Sequence, residues 1–166
     1  SSPDPGMKLA DSHMHLFRHG YPGCYGALFP AGDLAVYEKM RKAHGIERAL
    51  VVGYEGEPWS RGNNAYIARL AASRPWIVPV AFCDARQPLT RRSLAARWKQ
   101  GFAGLSFYIS SREEAEMVLK ASAEAIDCLN EHRAIISLNG SPAIAACLAP
   151  FFERLGETRI LLSHLA

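Results

Sequence analysis

Short apolar runs alternate along this chain with longer amphipathic ones. In a strand, residues i and i+2 share a face; in a helix, apolar residues recur at i, i+3, i+4 and i+7. On this basis residues 8–13 form a first strand of mixed character. Residues 33–44 form a helix, capped by Asp33 and ended by Gly45 in the left-handed conformation. Residues 48–54 (RALVVGY) are β-rich and too few for a helix. Asn63 or Asn64 caps a second helix that reaches Arg74 and is stopped by Pro75. Residues 76–83 (WIVPVAFC) read as a third strand, although Pro79 removes a ladder donor. A third helix spans 88–100 and a fourth strand 103–109. Ser111 and Glu114 make a capping box. The helix behind it carries Ala115, Val118, Leu119, Ser122, Ala125, Ile126 and Leu129 on one face. Residues 134–138 form a fifth strand, Ser141-Pro142 opens a helix to Leu155, and 159–163 form a sixth strand.

Strands about 25 to 40 residues apart, each followed by a helix, are parallel strands joined by crossovers. Two α/β architectures satisfy this pattern, an open doubly wound sheet and a (β/α) barrel. A barrel takes eight units and about 250 residues. The 166 residues here carry six strands, and the last has no helix behind it. Parallel strands need cover on both faces, so the pattern reads as a cut through a larger fold.

Composition narrows the function classes. A chain that is 49% hydrophobic and 21% charged, with three tryptophans, is not disordered. The net charge is +3 and no basic cluster is longer than Arg91-Arg92, so neither nucleic acid nor an anionic membrane has an electrostatic footprint. No apolar stretch approaches the roughly 20 residues of a bilayer span. Residues 1–6 are polar and proline-rich, unlike a signal peptide, and read as a flexible leader. Cys24, Cys83, Cys128 and Cys147 lack C-x-x-C spacing and read as buried, reduced thiols of a cytoplasmic protein.

The sharpest chemical signal is Asp11-Ser12-His13-Met14-His15. Two residues apart on a strand, His13 and His15 aim two imidazoles at one point, as a metal site requires. An H-x-H pair alone is weak evidence, but this one sits at the C-terminal end of a first strand, where ligands collect in parallel α/β folds. His164 stands at the same end of the sixth strand and is expected to converge with them; the alternative is a histidine satisfied by a loop carbonyl. His44 and His132 end helices, where an imidazolium meets the negative end of the dipole, and read as structural. His19 lies in a segment, 17–30, rich in aromatic, Arg and Gly residues. That segment reads equally as a substrate-binding loop or as a packed surface loop.

At this level the chain resembles the amidohydrolase-2 branch of the amidohydrolase superfamily. The resemblance runs in order through DSHMHLF, KMRKAHGIERALVVG, NNAYIARLAASRPWIVPVAF, GFAGLSFYI and RILLSHLA. It implies a distorted TIM barrel whose members hydrolyse, and in some cases decarboxylate, small substrates through an activated water. It implies metal-ligand roles for His13 and His15 and a rim role for His164. Departures accompany it. The family often has a histidine at the end of strand five, where this chain has Leu138, with the weak oxygen donor Asn139 beside it. The family's catalytic aspartate, at the end of strand eight, has no counterpart here. A lactonase-like branch does without the strand-five histidine, and some of its members need no metal. That branch often has an arginine in strand four, where this chain has Ser106.

The expected fold is therefore α/β, a parallel (β/α) TIM-barrel type with about six of eight strands, residues 7–166 forming the N-terminal part. The expected function is hydrolysis of a lactone, ester or amide bond in a small metabolite. His13, His15 and His164 would hold a divalent metal, Zn²⁺ by chemistry, weakly bound or absent, and His164 is also the catalytic candidate. Arg18, Tyr25, Tyr54, Tyr108 and Asn139 are candidates for substrate contact. The partner is a small molecule, and a homo-oligomer is compatible with the sequence. The alternatives are a degenerate, non-catalytic barrel that binds a ligand or partner, and a complete doubly wound domain. The latter lacks a Gly-rich phosphate loop after strand one. Made alone, residues 1–166 are expected to be inactive and poorly soluble, because the first and last strands expose unpaired backbone. Size-exclusion chromatography of the expressed segment and a lactone and ester hydrolysis screen check this; a soluble, cooperative monomer favours the doubly wound alternative.

Overall fold

A computed structural model of the chain describes residues 8–22 and 33–163. Six strands alternate with helices, in the order β1 (Leu9–Met14), α1 (Leu34–Ala43), β2 (Ile46–Val52), a 3₁₀ turn (Pro58–Ser60), α2 (Asn63–Ser73), β3 (Ile77–Cys83), α3 (Arg91–Lys99), β4 (Gly104–Tyr108), α4 (Arg112–Leu119), α5 (Ala123–Glu131), β5 (Ile135–Asn139), α6 (Pro142–Cys147), α7 (Ala149–Glu153) and β6 (Arg159–Ser163). The chain forms two compact units that divide between Val78 and Pro79. Every described strand pairing is parallel.

In the first unit β1 pairs with β2, and the apolar run Ala49–Leu50–Val51–Val52 is buried. Gly45 turns the chain from α1 into β2 at φ +66°, a left-handed position that side chains rarely adopt. Asp33 stands before α1 without capping it; its carboxylate instead accepts the Phe17 amide at 3.0 Å. Under the strands, Tyr37 of α1 is buried, stacks on Trp76 with ring centroids 5.5 Å apart, and donates its hydroxyl to Asp11 of β1 at 3.0 Å. The Arg41 guanidinium lies 4.8 Å over the same indole and donates to the Ile46 carbonyl at 2.9 Å. This cluster ties the helix to the start of both strands with polar groups that mostly find partners.

The second unit orders its strands β3-β4-β5-β6. Pro79 is tolerated within β3, and its carbonyl accepts the Ala103 amide at 2.8 Å. At Gly104 a Cβ would collide with the Ile135 backbone carbonyl, so the β4–β5 approach admits only glycine. Two helices expected to be continuous are broken. Ser122, counted on the apolar face of one long helix, is the N-cap of α5, and its hydroxyl accepts the Ala125 amide at 3.2 Å. Pro150 lies in the first turn of α7, after α6 ends at Cys147. Ser111 caps α4, but Glu114 reaches past it to the Ser110 amide at 2.8 Å. His132 ends α5 stacked on Trp98 of α3 at 4.0 Å and donates to the Phe102 carbonyl, so packing, more than the helix dipole, fixes it. Of the cysteines, Cys24 lies outside the described residues. Cys128 is buried and burial pushes the Cys83 thiol up to about 12. Cys147 is exposed, against expectation, because α6 is short and turns that position outward.

Burial, then the bond to Asp11, holds the Tyr37 phenol well above its ordinary value of about 10. The unfolded phenol loses its proton near that pH while the folded one keeps it. The stability it contributes is therefore present below about pH 10 and lost as the pH rises further. Urea midpoints followed between about pH 8 and pH 11 are expected to fall, and to fall less in Tyr37→Phe. At neutral pH that variant is expected to lose about 1 kcal/mol, the net worth of a hydrogen bond.

Candidate functional site

The two strand-one histidines meet as their spacing predicts, although the strand is not regular there. Between Asp11 and Met14 β1 advances three residues while β2 advances two, from Ala49 to Val51. The extra residue is a β-bulge, a device that re-aims side chains beside functional sites. Asp11 turns to Tyr37 on α1, and its second oxygen accepts the His13 amide at 3.2 Å. His13 and His15 turn to each other, with their Nε2 atoms 3.2 Å apart and their rings at 85°. His15 Nδ1 lies 2.7 Å from the Val52 carbonyl at the end of β2. A carbonyl only accepts, so Nδ1 carries the proton and Nε2 presents its lone pair.

The backbone beyond the pair is held by one side chain. Asn63, at the start of α2, is buried; its Nδ2 donates to the Leu16 carbonyl at 2.8 Å and its Oδ1 accepts the Tyr54 amide at 2.9 Å. Asn63 and Asn64 read as helix caps from sequence. In the structure Gly62, left-handed at φ +78°, is the N-cap, and the Asn64 amide is taken by the Glu55 carboxylate at 2.9 Å. The amide of Asn63 is thus spent on the loops after β1 and β2. Around it lies an aromatic group: Phe17 stacks on His15 at 5.7 Å and 15°, and Trp59 meets Phe17, Tyr21 and Tyr54 at 4.8, 5.4 and 6.1 Å. Burial, then the charge of Glu57, raises the Tyr54 phenol above its usual range.

Of the other candidates, Arg18 is exposed on the wall of a cavity whose lining, among the described residues, includes neither His13 nor His15. In the second unit Tyr108 and Asn139 stand side by side in the β4–β5 ladder, and Asn139 pairs onward with Ser163. Leu138 is fully buried on the opposite face, beside Phe107. The polar position at the end of β5 is therefore Asn139. Ser106 is fully buried, and its hydroxyl has no hydrogen-bond partner among the described residues. His164 and Tyr25 lie outside the described residues. Among those described, no group of three or more His, Cys, Asp or Glu side chains is placed to hold a metal. The sequence pattern did not single out Trp59, Arg61 or Arg69, and it offered Asn63 only as a helix cap. The R-G-N-N run before an apolar helix was the available signal for Arg61 and Asn63.

Asn63→Ala removes the acceptor of the half-buried Tyr54 N–H and the donor to the buried Leu16 carbonyl. It is expected to cost about 1–3 kcal/mol in urea unfolding, the penalty for one stranded buried group, with a smaller addition from the half-buried N–H. Asn63→Asp, which keeps the acceptor and loses the donor, should not restore stability.

No family model and no curated protein significantly matches the sequence. Solved structures do. A probable 2-pyrone-4,6-dicarboxylic acid hydrolase from Acinetobacter baumannii, with citric acid bound, superposes with a TM-score of 0.67 at 15% identity, covering 95% of this chain and 58% of that one. An amidohydrolase from Burkholderia multivorans with bound zinc gives 0.67 at 17% identity, covering 95% and 58%. The same enzyme with bound HEPES gives 0.68 at 18%, covering 93% and 56%. The chain thus spans less than two thirds of the length of these neighbours, which are hydrolases. No described helix is long and apolar enough to cross a membrane. The fold is the α/β, TIM-barrel type of amidohydrolases, with six parallel strands in this chain.

Proposed function

We propose that this chain contributes the first strands of a hydrolase barrel that attacks a lactone, ester or amide bond of a small metabolite with an activated water. The observation that carries this reading is the histidine pair, with its Nε2 atoms 3.2 Å apart and the His15 tautomer set by Val52. Two nitrogens bound at ~2.0–2.1 Å to one tetrahedral ion stand about 3.3–3.4 Å apart, so the donor set suits a shared Zn²⁺. His13 and His15 would hold it, with His164 as the third ligand; two or three ligands make a weak site. Bound there, a divalent ion supplies an acidified water and polarises the scissile carbonyl. The protein's own part is to keep His15 Nδ1 on a carbonyl so that Nε2 faces the reacting group. It also backs the imidazole with the Phe17 ring, which excludes water from one face. Tyr54, Tyr108 and Asn139 are the contacts proposed for the rest of the substrate. In a metal-free enzyme the same imidazoles would polarise the carbonyl by hydrogen bonds.

The test joins zinc titration by calorimetry to a hydrolysis screen of lactones, esters and amides, on the whole protein. Weak Zn²⁺ binding that is lost in His13→Ala and in His15→Ala is expected. Hydrolysis is expected to fall by about 10²-fold or more in each, the scale of losing a group that stabilises developing charge. Hydrolysis that survives chelation but not these substitutions identifies the metal-free form. No hydrolysis of any class, with a ligand still bound, makes the chain part of a degenerate binding barrel and overturns the proposal.

A further inference from the structure

A second site lies in the first unit, behind Phe17. A cavity of about 360 Å³ opens there, within the range of small-ligand pockets. One wall is cationic: Arg18 follows β1, Arg61 precedes α2, and Arg69 projects from the second turn of α2. The other wall is aromatic, made by Phe17, Trp59 and Tyr66. No carboxylate lines it among the described residues. None of the three cavity arginines makes an ion pair among the described residues. The nearby Asp33 carboxylate, which acts on Tyr66, is held by the Phe17 amide.

Three arginines lining one cavity can offer a doubly charged oxyanion charge-assisted, bidentate hydrogen bonds. Gly62, Asn63 and Ala65, at the start of α2, also line the cavity. Trp59 is 38% exposed, a large apolar surface left at the mouth of this charged space. A flat ring covers such a surface, and Arg and Trp both stack on one.

We propose that this cavity binds a phosphomonoester carried on a flat ring, with the phosphate among Arg18, Arg61 and Arg69 and the ring against Trp59. The site is separate from the histidine pair and stands whether or not the hydrolase reading does. Phe17 is the partition, lining the cavity and stacking on His15.

Calorimetry on the full chain with phenyl phosphate, adenosine monophosphate and inorganic phosphate tests this. Phenyl phosphate and adenosine monophosphate are expected to bind at least about tenfold more tightly than inorganic phosphate, the gain from stacking one ring. Affinity should fall with added salt, and by about tenfold or more in Arg61→Gln/Arg69→Gln. That variant should keep its circular dichroism spectrum and its Zn²⁺ binding, which separates this site from the histidine pair. Tighter adenosine monophosphate assigns the source as a nucleotide, tighter phenyl phosphate as a simple aryl phosphate. Inorganic phosphate binding as tightly as either overturns the proposal. So does affinity unchanged in the double variant, or lost in His13→Ala.

Discussion

One buried amide carries much of the first unit. Asn63 holds the carbonyl of Leu16 and the amide of Tyr54, and these flank the contact that matters most for chemistry. Leu16 follows His15 directly, and Tyr54 lies two residues beyond Val52, whose carbonyl takes the His15 proton. The imidazole follows β1 and its acceptor ends β2, and the backbone continues from each into a loop. A side-chain amide with one donor end and one acceptor end is the smallest group that can bridge them. One of its partners, the Leu16 carbonyl, is a backbone group that would otherwise face a buried environment unpaired. Its stabilising role and its positioning role are thus the same pair of bonds.

The histidine pair was legible in the sequence because i, i+2 spacing survives the irregular register of the β1–β2 ladder. The bulge was not legible: it is a mismatch between two ladders, and no local property of Ser12 or Met14 announces it. Asn63 was seen and misread, since a buried asparagine at the first turn of a helix has the same sequence signature as a cap. Ser122 shows the converse error. It fell in phase with six apolar residues, and the phase continues through a break because α4 and α5 bury the same side. The cysteines divide similarly, Cys128 deep in α5 and Cys147 at the outer end of a helix too short to hide it. Strand and helix order came through because runs of apolar residues report burial directly. Cap and clamp assignments failed where they depend on what a side chain meets across the fold.

The neighbours share the fold at identities of 15 to 18%. Few side chains are common at that level, so what persists is the architecture: parallel strands whose ends collect loops on one edge. The chemistry carried on those loops is free to vary. In the first unit the described residues include a histidine pair and, apart from it, an arginine-lined cavity.

Gly104 bears on how such a chain drifts over time. Its place against the Ile135 carbonyl is closed to every side chain, whatever its chemistry. Most core positions trade one apolar group for another and so lose their identity over long divergence. A position defined by absent volume has no substitutes to trade, and it changes only if the two strands move apart. Residue 104 therefore serves as a fixed mark in the ladder, from which the alignment of β4 with β5 in distant relatives can be counted even when no other residue in either strand is retained.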